Sequence, residues 1–547
     1  MLKNFKTSGI LHLNMFILGG NCLAFEYTLS KVSSDLLGDS VEQWSLTIAV
    51  MMFFMGIGSD YQKKITNKFL IDSFIFIESS ICVIGALSPF IMLFGFAYTN
   101  QAFPLIHYTV IGVLGFLIGM EIPIILRMNE KNSESLKNNL SSLLKADYIG
   151  ALFGAVVWTL VLRKFFTITE ISMILSVSCF SIALLTYFIM KKNLFYPKWQ
   201  KLAFAMALMI LTVLGINYKN WVIYAEQRFF KDRIVFKETS PYQHLVLTES
   251  RNREISLYIN GHLQFNSFDE HIYHENLVHP AMLVGKPMTR VLILGGGDGL
   301  ALREVRKYQD VEEIVLCDLD PVMTKLASSN PLMRALNEDS FSDARLTNAS
   351  NFYKSDEQEV IITAKNELDT GSKGQTFKLK LVNMDARKFL EKAKGKFNKI
   401  IIDFPDPVSP NLASLYSKEF YRLLLTRLAT DGVIVQQSTS VHHAKEAFLS
   451  IGRTMEHVGL NVLPFHAYVP SLGDWGYWLA SISMKKEEMV EVIRNVKLIP
   501  VATKYLNPES MRGSLVFGKN LLLSRYHTIN TNLDSQIYRF YTEDYHR

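Results

Sequence analysis

Seven apolar runs follow one another in the first 220 residues, at about 10–30, 41–59, 69–97, 104–127, 147–163, 168–190 and 202–218. A segment in hydrocarbon must satisfy every backbone N–H and C=O within itself, and spanning the layer takes about 20 largely apolar helical residues. The runs therefore predict a multi-pass helical membrane domain over 1–225. The first run lacks a small-residue cleavage site and others follow it, so it is not a removable signal. Basic residues gather in alternate loops, at Lys63, Lys64 and Lys68, at Arg127, Lys131, Lys137 and Lys145, and at Lys191, Lys192, Lys198 and Lys201. That bias predicts a cytoplasmic amino terminus. Seven full spans would then leave the remainder outside. The runs near 148–162 and 202–216 hold only about 15 apolar residues each, short enough for re-entrant or interfacial pieces. Lys219, Arg228, Lys231, Arg233 and Lys237 follow the last run. The second half is accordingly expected on the cytoplasmic side of the cell's inner (plasma) membrane.

Four acids interrupt the runs: Glu26, Glu78, Glu121 and Asp147. A carboxylate in hydrocarbon is costly, so each is a candidate for a cation path or polyamine site. The competing reading puts Glu121 and Asp147 near span ends, or pairs the acids with basic or hydroxyl groups between helices. The four cysteines, Cys22, Cys82, Cys179 and Cys317, form no CxxC pair and accompany no histidine pattern, so neither a disulfide framework nor a metal site is expected. A net charge of +6 over 547 residues does not suggest a nucleic-acid surface, and the lysines beside the apolar runs suit lipid headgroups.

After residue 225 the pattern becomes alternating. Arg233–Lys237, Gln243–Thr248 and Glu254–Ile259 read as short strands, and Asn260-Gly261 as a tight turn. A small antiparallel β domain is expected over 226–285. From Arg290 strand-like and helix-like runs alternate, which predicts an α/β doubly wound, Rossmann-like domain over 286–547 with its ligand crevice at the carboxyl ends of the strands. A polar insertion at about 344–375 is expected to be a surface loop.

The strand Val291–Leu294 runs into Gly295, Gly296, Gly297, Asp298 and Gly299, a glycine turn that lets backbone approach a nucleoside. About 20 residues on, Asp318 ends the next strand, where a ribose diol needs an acceptor. Asp298 sits inside the glycine turn and would repel a phosphate or carboxylate but attract an ammonium group. In KIIIDFPDP, Asp403 and Asp406 border the same crevice. One of them can take a proton from an attacking amine, because an alkylammonium is not a nucleophile. The competing reading has these acids ending the strand and capping the next helix. Asp385 ends another strand, as an acceptor for an adenine amino group, as a helix cap, or as both.

In order, SPYQHLVL, DEHIYHENLVHP, VLILGGGDGLALREV, CDLDP, MDA, IIIDFPDP and LYSKEFYRLL resemble the spermidine synthase, or polyamine aminopropyltransferase, family over about 233–500. The apolar first half looks like that of its long, membrane-anchored bacterial members. The resemblance implies that Gln243 and Asp298 contact the aminopropyl end of decarboxylated S-adenosylmethionine, with Gly295 and Gly297 in the nucleoside turn. It implies Asp318 at the ribose and Asp385 with Ala386 at the adenine. Tyr273 and His274 would line the polyamine side, Asp403 would deprotonate the attacking amine, and Asp406 would help bind it. The implied reaction moves an aminopropyl group to a polyamine acceptor, putrescine giving spermidine and methylthioadenosine. Decarboxylated S-adenosylmethionine is a co-substrate, and no cofactor or metal is implied. The expected partners are nucleoside and polyamine small molecules and membrane lipid, with no nucleic acid, and a homo-oligomer is compatible with the class. The sequence departs from the family's pattern in Phe404-Pro405 between the two acids, in Leu472 where a tyrosine is common, and in Asp318 for a glutamate. Two other functions remain open: an S-adenosylmethionine-dependent methyltransferase, which Asp298 disfavours, and a membrane polyamine transporter or sensor with a nucleoside-binding domain.

Overall fold

The computed structural model describes residues 2–37, 40–99, 103–130, 135–341, 358–363 and 378–545. The chain divides into two compact units, Met1–Lys231 and Asp232–Arg547.

The first unit is a bundle of long helices: α1 (Leu2–Leu37), α2 (Ser40–Tyr61), α3 (Leu70–Tyr98), α4 (Phe103–Asn129), α5 (Leu136–Phe165), α6 (Ile168–Met190) and α7 (Pro197–Glu226). Among the described residues six of them, α1 and α3 to α7, are long and apolar enough to cross a membrane. The segments expected as short re-entrant pieces are instead the middles of α5 and α7, each 30 residues. At 1.5 Å per residue such a helix extends about 45 Å. The sequence understated them because their ends carry lysines and amides that break the apolar run but not the helix.

Small residues let the helices approach closely. A Cβ on Gly150 or Gly154 of α5 would run into the backbone of Phe16 or Gly20 on α1, and one on Gly119 of α4 would meet Met55 on α2. Spacings of four between such glycines bring helix backbones together where hydrophobic sorting cannot. Apolar side chains point outward, including Leu152, Phe153, Leu160, Leu208, Met209 and Ile216, whereas Asn14, Thr28 and Thr186 are buried. Asn14 donates to Thr186 at 2.9 Å and Trp158 to Thr28 at 2.9 Å. Glu78 and Glu121 are buried between helices rather than at helix ends. Neither Glu78 carboxylate oxygen has a hydrogen-bond partner among the described residues, and no basic side chain among them pairs with either acid.

The second unit begins with a four-stranded antiparallel sheet, β1 (Arg233–Thr239), β2 (His244–Glu249), β3 (Ile255–Ile259) and β4 (His262–Asn266), in sequential order. Asn260 and Gly261, with φ of 50° and 83°, make the two-residue turn between β3 and β4. Helix α8 (Glu270–Leu283) leads into an eight-stranded sheet of order β11-β12-β10-β9-β5-β6-β8-β7. Its strands are β5 (Arg290–Gly295), β6 (Glu313–Asp318), β7 (Gln358–Thr363), β8 (Lys378–Asn383), β9 (Phe397–Asp403), β10 (Leu428–Ser440), β11 (Asn461–Val469) and β12 (Gly473–Ser481). The five central strands from β10 to β8 run parallel, and β7 and β12 pair antiparallel at the flanks. The central strands read VLIL, IVLC and IIID because both faces are covered by helices. Of the insertion expected as a loop, only 358–363 are described, and they form β7 against β8; the rest of the insertion lies outside the described residues.

Candidate active site

The switch in strand order falls at β5, between β6 on one side and β9 on the other, and the expected residues gather at the carboxyl ends of these strands. Gly295 and Asp403 are register partners. Gly295 has φ of 80°, and a Cβ there would collide with the Asp403 carbonyl. The glycine turn and the Asp403 strand are therefore pressed together by a residue with no side chain. Gly297 has the same need on its other side, since a Cβ would stand 2.6 Å from Asp318 Cγ. Its N–H donates to Asp318 Oδ2 at 3.0 Å, and the Asp320 N–H donates to Oδ1 at 2.8 Å. Burial nevertheless raises the Asp318 carboxyl to about 7.

Asp298 caps the start of α9 (Leu300–Val305), its Oδ1 accepting the Leu300 N–H at 2.8 Å. His274, Asp298 and Asp403 each offer a ligand atom, all within 4.8 Å of one another. The two carboxylates of that group suit a single cation. Tyr273 OH donates to Asp403 Oδ1 at 2.6 Å. Burial raises the Asp298 and Asp403 carboxyls, with His274 opposing the shift in each.

His274 is charged by a buried network that sequence reasoning missed. Its Nδ1 contacts Glu270 Oε2 at 2.9 Å, and Arg303 donates to both Glu270 oxygens at 2.8 and 3.0 Å. Arg303 Nε also reaches Glu304 Oε1 at 2.8 Å. Against burial, which would lower it, Glu270 lifts the His274 imidazole to about 9. Burial would raise Glu270, yet His274 and Arg303 hold it down at about 2. A histidine already protonated at neutral pH cannot act as the base.

Gln243 follows β1 and lies beside Asp320, whose Oδ2 accepts Ser240 Oγ at 2.7 Å. Asp385 caps the helix Ala386–Lys392, accepting from Arg387 N at 3.0 Å and Lys388 N at 3.2 Å. The cap role is thus visible, with buried Ala386 next to it. Asp406 is three residues past Asp403 on a loop braced by Tyr416, which donates to the Pro405 carbonyl at 2.9 Å, and by Gln437, which donates to the Phe404 carbonyl. Gln437 precedes a register shift in β10 and Thr439 at φ 63°, a strained position of the kind found at functional sites. Trp475 Nε1 donates to Gln437 Oε1 at 3.2 Å, and its ring packs on Tyr273. Leu472 is fixed by the Val469 turn, while Asp269 clamps neighbouring Ser471 at 2.6 and 2.8 Å. Glu270, Arg303 and Tyr416 stand inside motifs already quoted, which contain these residues without showing the partners they meet; Trp475 lies outside those motifs. Gln437 carried no such signal. A separate cavity of about 770 Å³ is lined by His442, His466, Asp474 and Tyr505, with none of the expected site residues in its wall.

The spermine/spermidine synthase domain family matches residues 270–352 and 355–492. Polyamine aminopropyltransferase 2 of Ralstonia nicotianae is 32% identical, covering 99% of this chain and 99% of its own. The polyamine aminopropyltransferase of Oceanobacillus iheyensis is 32% identical over 95% of this chain and 93% of its own, and that of Leptospira interrogans 31% identical over 98% and 99%. Among solved structures, spermidine synthase from Thermotoga maritima is 24% identical, covering 53% of this chain and 87% of that one, with a TM-score of 0.41. The full-length likeness to curated relatives, together with the matched domain around Asp298 and Asp403, establishes that the chain belongs to the polyamine aminopropyltransferase family of enzymes.

Proposed function

We propose that the Asp232–Arg547 unit transfers the aminopropyl group of decarboxylated S-adenosylmethionine to putrescine, giving spermidine and methylthioadenosine. The observation that carries this reading is the meeting of His274, Asp298 and Asp403 within 4.8 Å, two acids and one committed cation where a migrating positive charge would pass. In this reading Gln243 and Asp298 hold the aminopropyl ammonium, Gly295, Gly297 and Asp318 the ribose, and Asp385 with Ala386 the adenine. Tyr273 and His274 line the polyamine side, and Asp406 binds the acceptor amine.

The acceptor nitrogen's lone pair forms the new C–N bond at the methylene beside the sulfonium. The C–S pair returns to sulfur, and the departing nucleoside becomes a neutral thioether. The nitrogen's proton goes to Asp403. Tyr273 occupies Oδ1 of that acid, while Oδ2 turns towards Gly296, where a Cβ would stand 3.3 Å away, so the free oxygen faces the nucleoside turn. The enzyme's contribution is positioning and fixed carboxylates facing the moving charge. No cofactor is needed for this step.

Isothermal titration with the intact and decarboxylated nucleosides separates this function from methyl transfer. The proposal expects the decarboxylated form to bind more tightly, since Asp298 repels the carboxylate of the intact one. Preference for the intact form would sink it.

The first unit is proposed to be embedded in the membrane, with the second on its cytoplasmic face. Six long apolar helices and their outward apolar side chains support the first statement. The basic residues Lys219, Arg228, Lys231, Arg233 and Lys237 support the second, while Lys191, Lys192, Lys198 and Lys201 around the start of α7 favour the opposite side. Labelling D310C, at an exposed position, with an impermeant thiol reagent in intact and opened cells decides between them. Labelling only after opening is expected.

A further inference from the structure

The matched family segment stops at residue 492, but the chain returns to the candidate site after it. Asn530 Nδ2 donates to the Ala413 carbonyl at 2.7 Å, and the Asn530 carbonyl accepts the Lys418 N–H at 2.9 Å. Asn532 Oδ1 accepts from Ser417 Oγ and Arg387 Nη2, each at 2.8 Å. These bonds lay the carboxy-terminal helix Gln536–Tyr545 across the segment that follows the two acids. Ile537, Phe540 and Tyr541 are buried in the same cluster as Phe404, Tyr416 and Phe420.

The Tyr541 hydroxyl reaches Asp406 Oδ2 at 3.0 Å. The other oxygen, Oδ1, is buried and has no hydrogen-bond partner among the described residues. A buried carboxylate oxygen left unpaired is costly, so a further donor is called for. An ammonium group supplies one with three N–H bonds. Burial raises the Asp406 carboxyl to about 6, and the bond from Tyr541 restrains that rise.

We infer that Tyr541 is a positioning residue for the acceptor amine: it ties down Asp406 by Oδ2 so that Oδ1 is presented to the non-reacting ammonium of the acceptor. This rests on the aminopropyltransferase reading above. It makes the carboxy-terminal helix, and not only the matched domain, a determinant of which amine is accepted. The tyrosine does no chemistry itself. It keeps one acid ionised and aimed.

The test is Y541F in the full-length purified enzyme, with Asp406→Asn approaching the same pair from the other side. Y541F is expected to raise KM for putrescine about tenfold, the effect of one lost charge-assisted bond. KM for decarboxylated S-adenosylmethionine should stay within about twofold on the same basis. The acid limb of kcat/KM for the amine should move to higher pH, because Asp406 loses a bond that favours its charged form. D406N should show the same amine-specific loss, and adding Y541F to it should cost nothing further. Titration of putrescine into enzyme saturated with methylthioadenosine reads the same weakening without turnover. An unaltered amine KM and an unmoved acid limb in Y541F, or fully additive losses in the double variant, overturn the inference while the aminopropyltransferase reading stands. A wild type that neither turns over nor binds a diamine overturns both.

Discussion

The hydroxyl of Tyr273 donates a 2.6 Å hydrogen bond to Asp403 Oδ1, and the phenol is buried against Trp475 and Tyr477. That contact joins the helix carrying the polyamine-side motif to the last residue of β9. It favours the ionised form of Asp403, whose carboxyl burial otherwise raises. Tyr273→Phe is therefore expected to lower kcat by about 10- to 100-fold, the size of one lost hydrogen bond to a charged group, and to shift the acid limb of the kcat profile upward. A pH series on the variant measures both.

The rate should fall as pH drops through about 6. Burial lifts the Asp406 carboxyl to about 6 and raises Asp403 in the same direction, so both gain protons well above the ordinary carboxylate range. Protonated Asp403 cannot accept the amine's proton, and protonated Asp406 does not hold an ammonium. A profile of kcat/KM for the amine that stayed flat down to pH 5 would contradict these roles.

Glu270→Gln tests the buried ion network. His274 is raised to about 9 in the folded protein against an ordinary 6.5. The stability this pair contributes is therefore full below about pH 6.5 and is lost as pH rises through about 9. Removing Glu270 also takes the two-pronged partner from Arg303, 2% exposed at its side chain, and leaves it only Glu304 among the acids. Breaking one partner of such a pair costs about 3–5 kcal/mol. Thermal unfolding of wild type and variant in detergent should show the gap narrowing from pH 6 to pH 10.

Gly297→Ala should harm the nucleoside half of the site selectively. The added methyl would stand 2.6 Å from Asp318 Cγ, and one of the two must move. KM for the nucleoside is expected to rise at least about tenfold, while KM for the amine changes little. Steady-state kinetics with each substrate varied in turn distinguish the two.

Much of the second unit was legible because its signals are local. Strands buried on both faces read as short apolar runs, and the glycine turn, Asp318, Asp385 and Asp403 stand at strand ends that those runs define. Contacts made across the fold left no such trace. Arg303 reads as an ordinary helix arginine until the fold brings Glu270 to it, and Tyr541 lies 135 residues from Asp406. Gln437 enters the site only through the shift in β10. In the first unit composition marked the apolar middles of the helices, but the polar ends of α5 and α7 concealed their length.

The central claim is tested most directly by incubating the purified full-length protein with decarboxylated S-adenosylmethionine and putrescine, and measuring methylthioadenosine and spermidine together. Equal amounts of both products are expected from the wild type, with formation abolished in Asp403→Asn. Failure to form methylthioadenosine with any amine, or undiminished turnover in D403N, would contradict it.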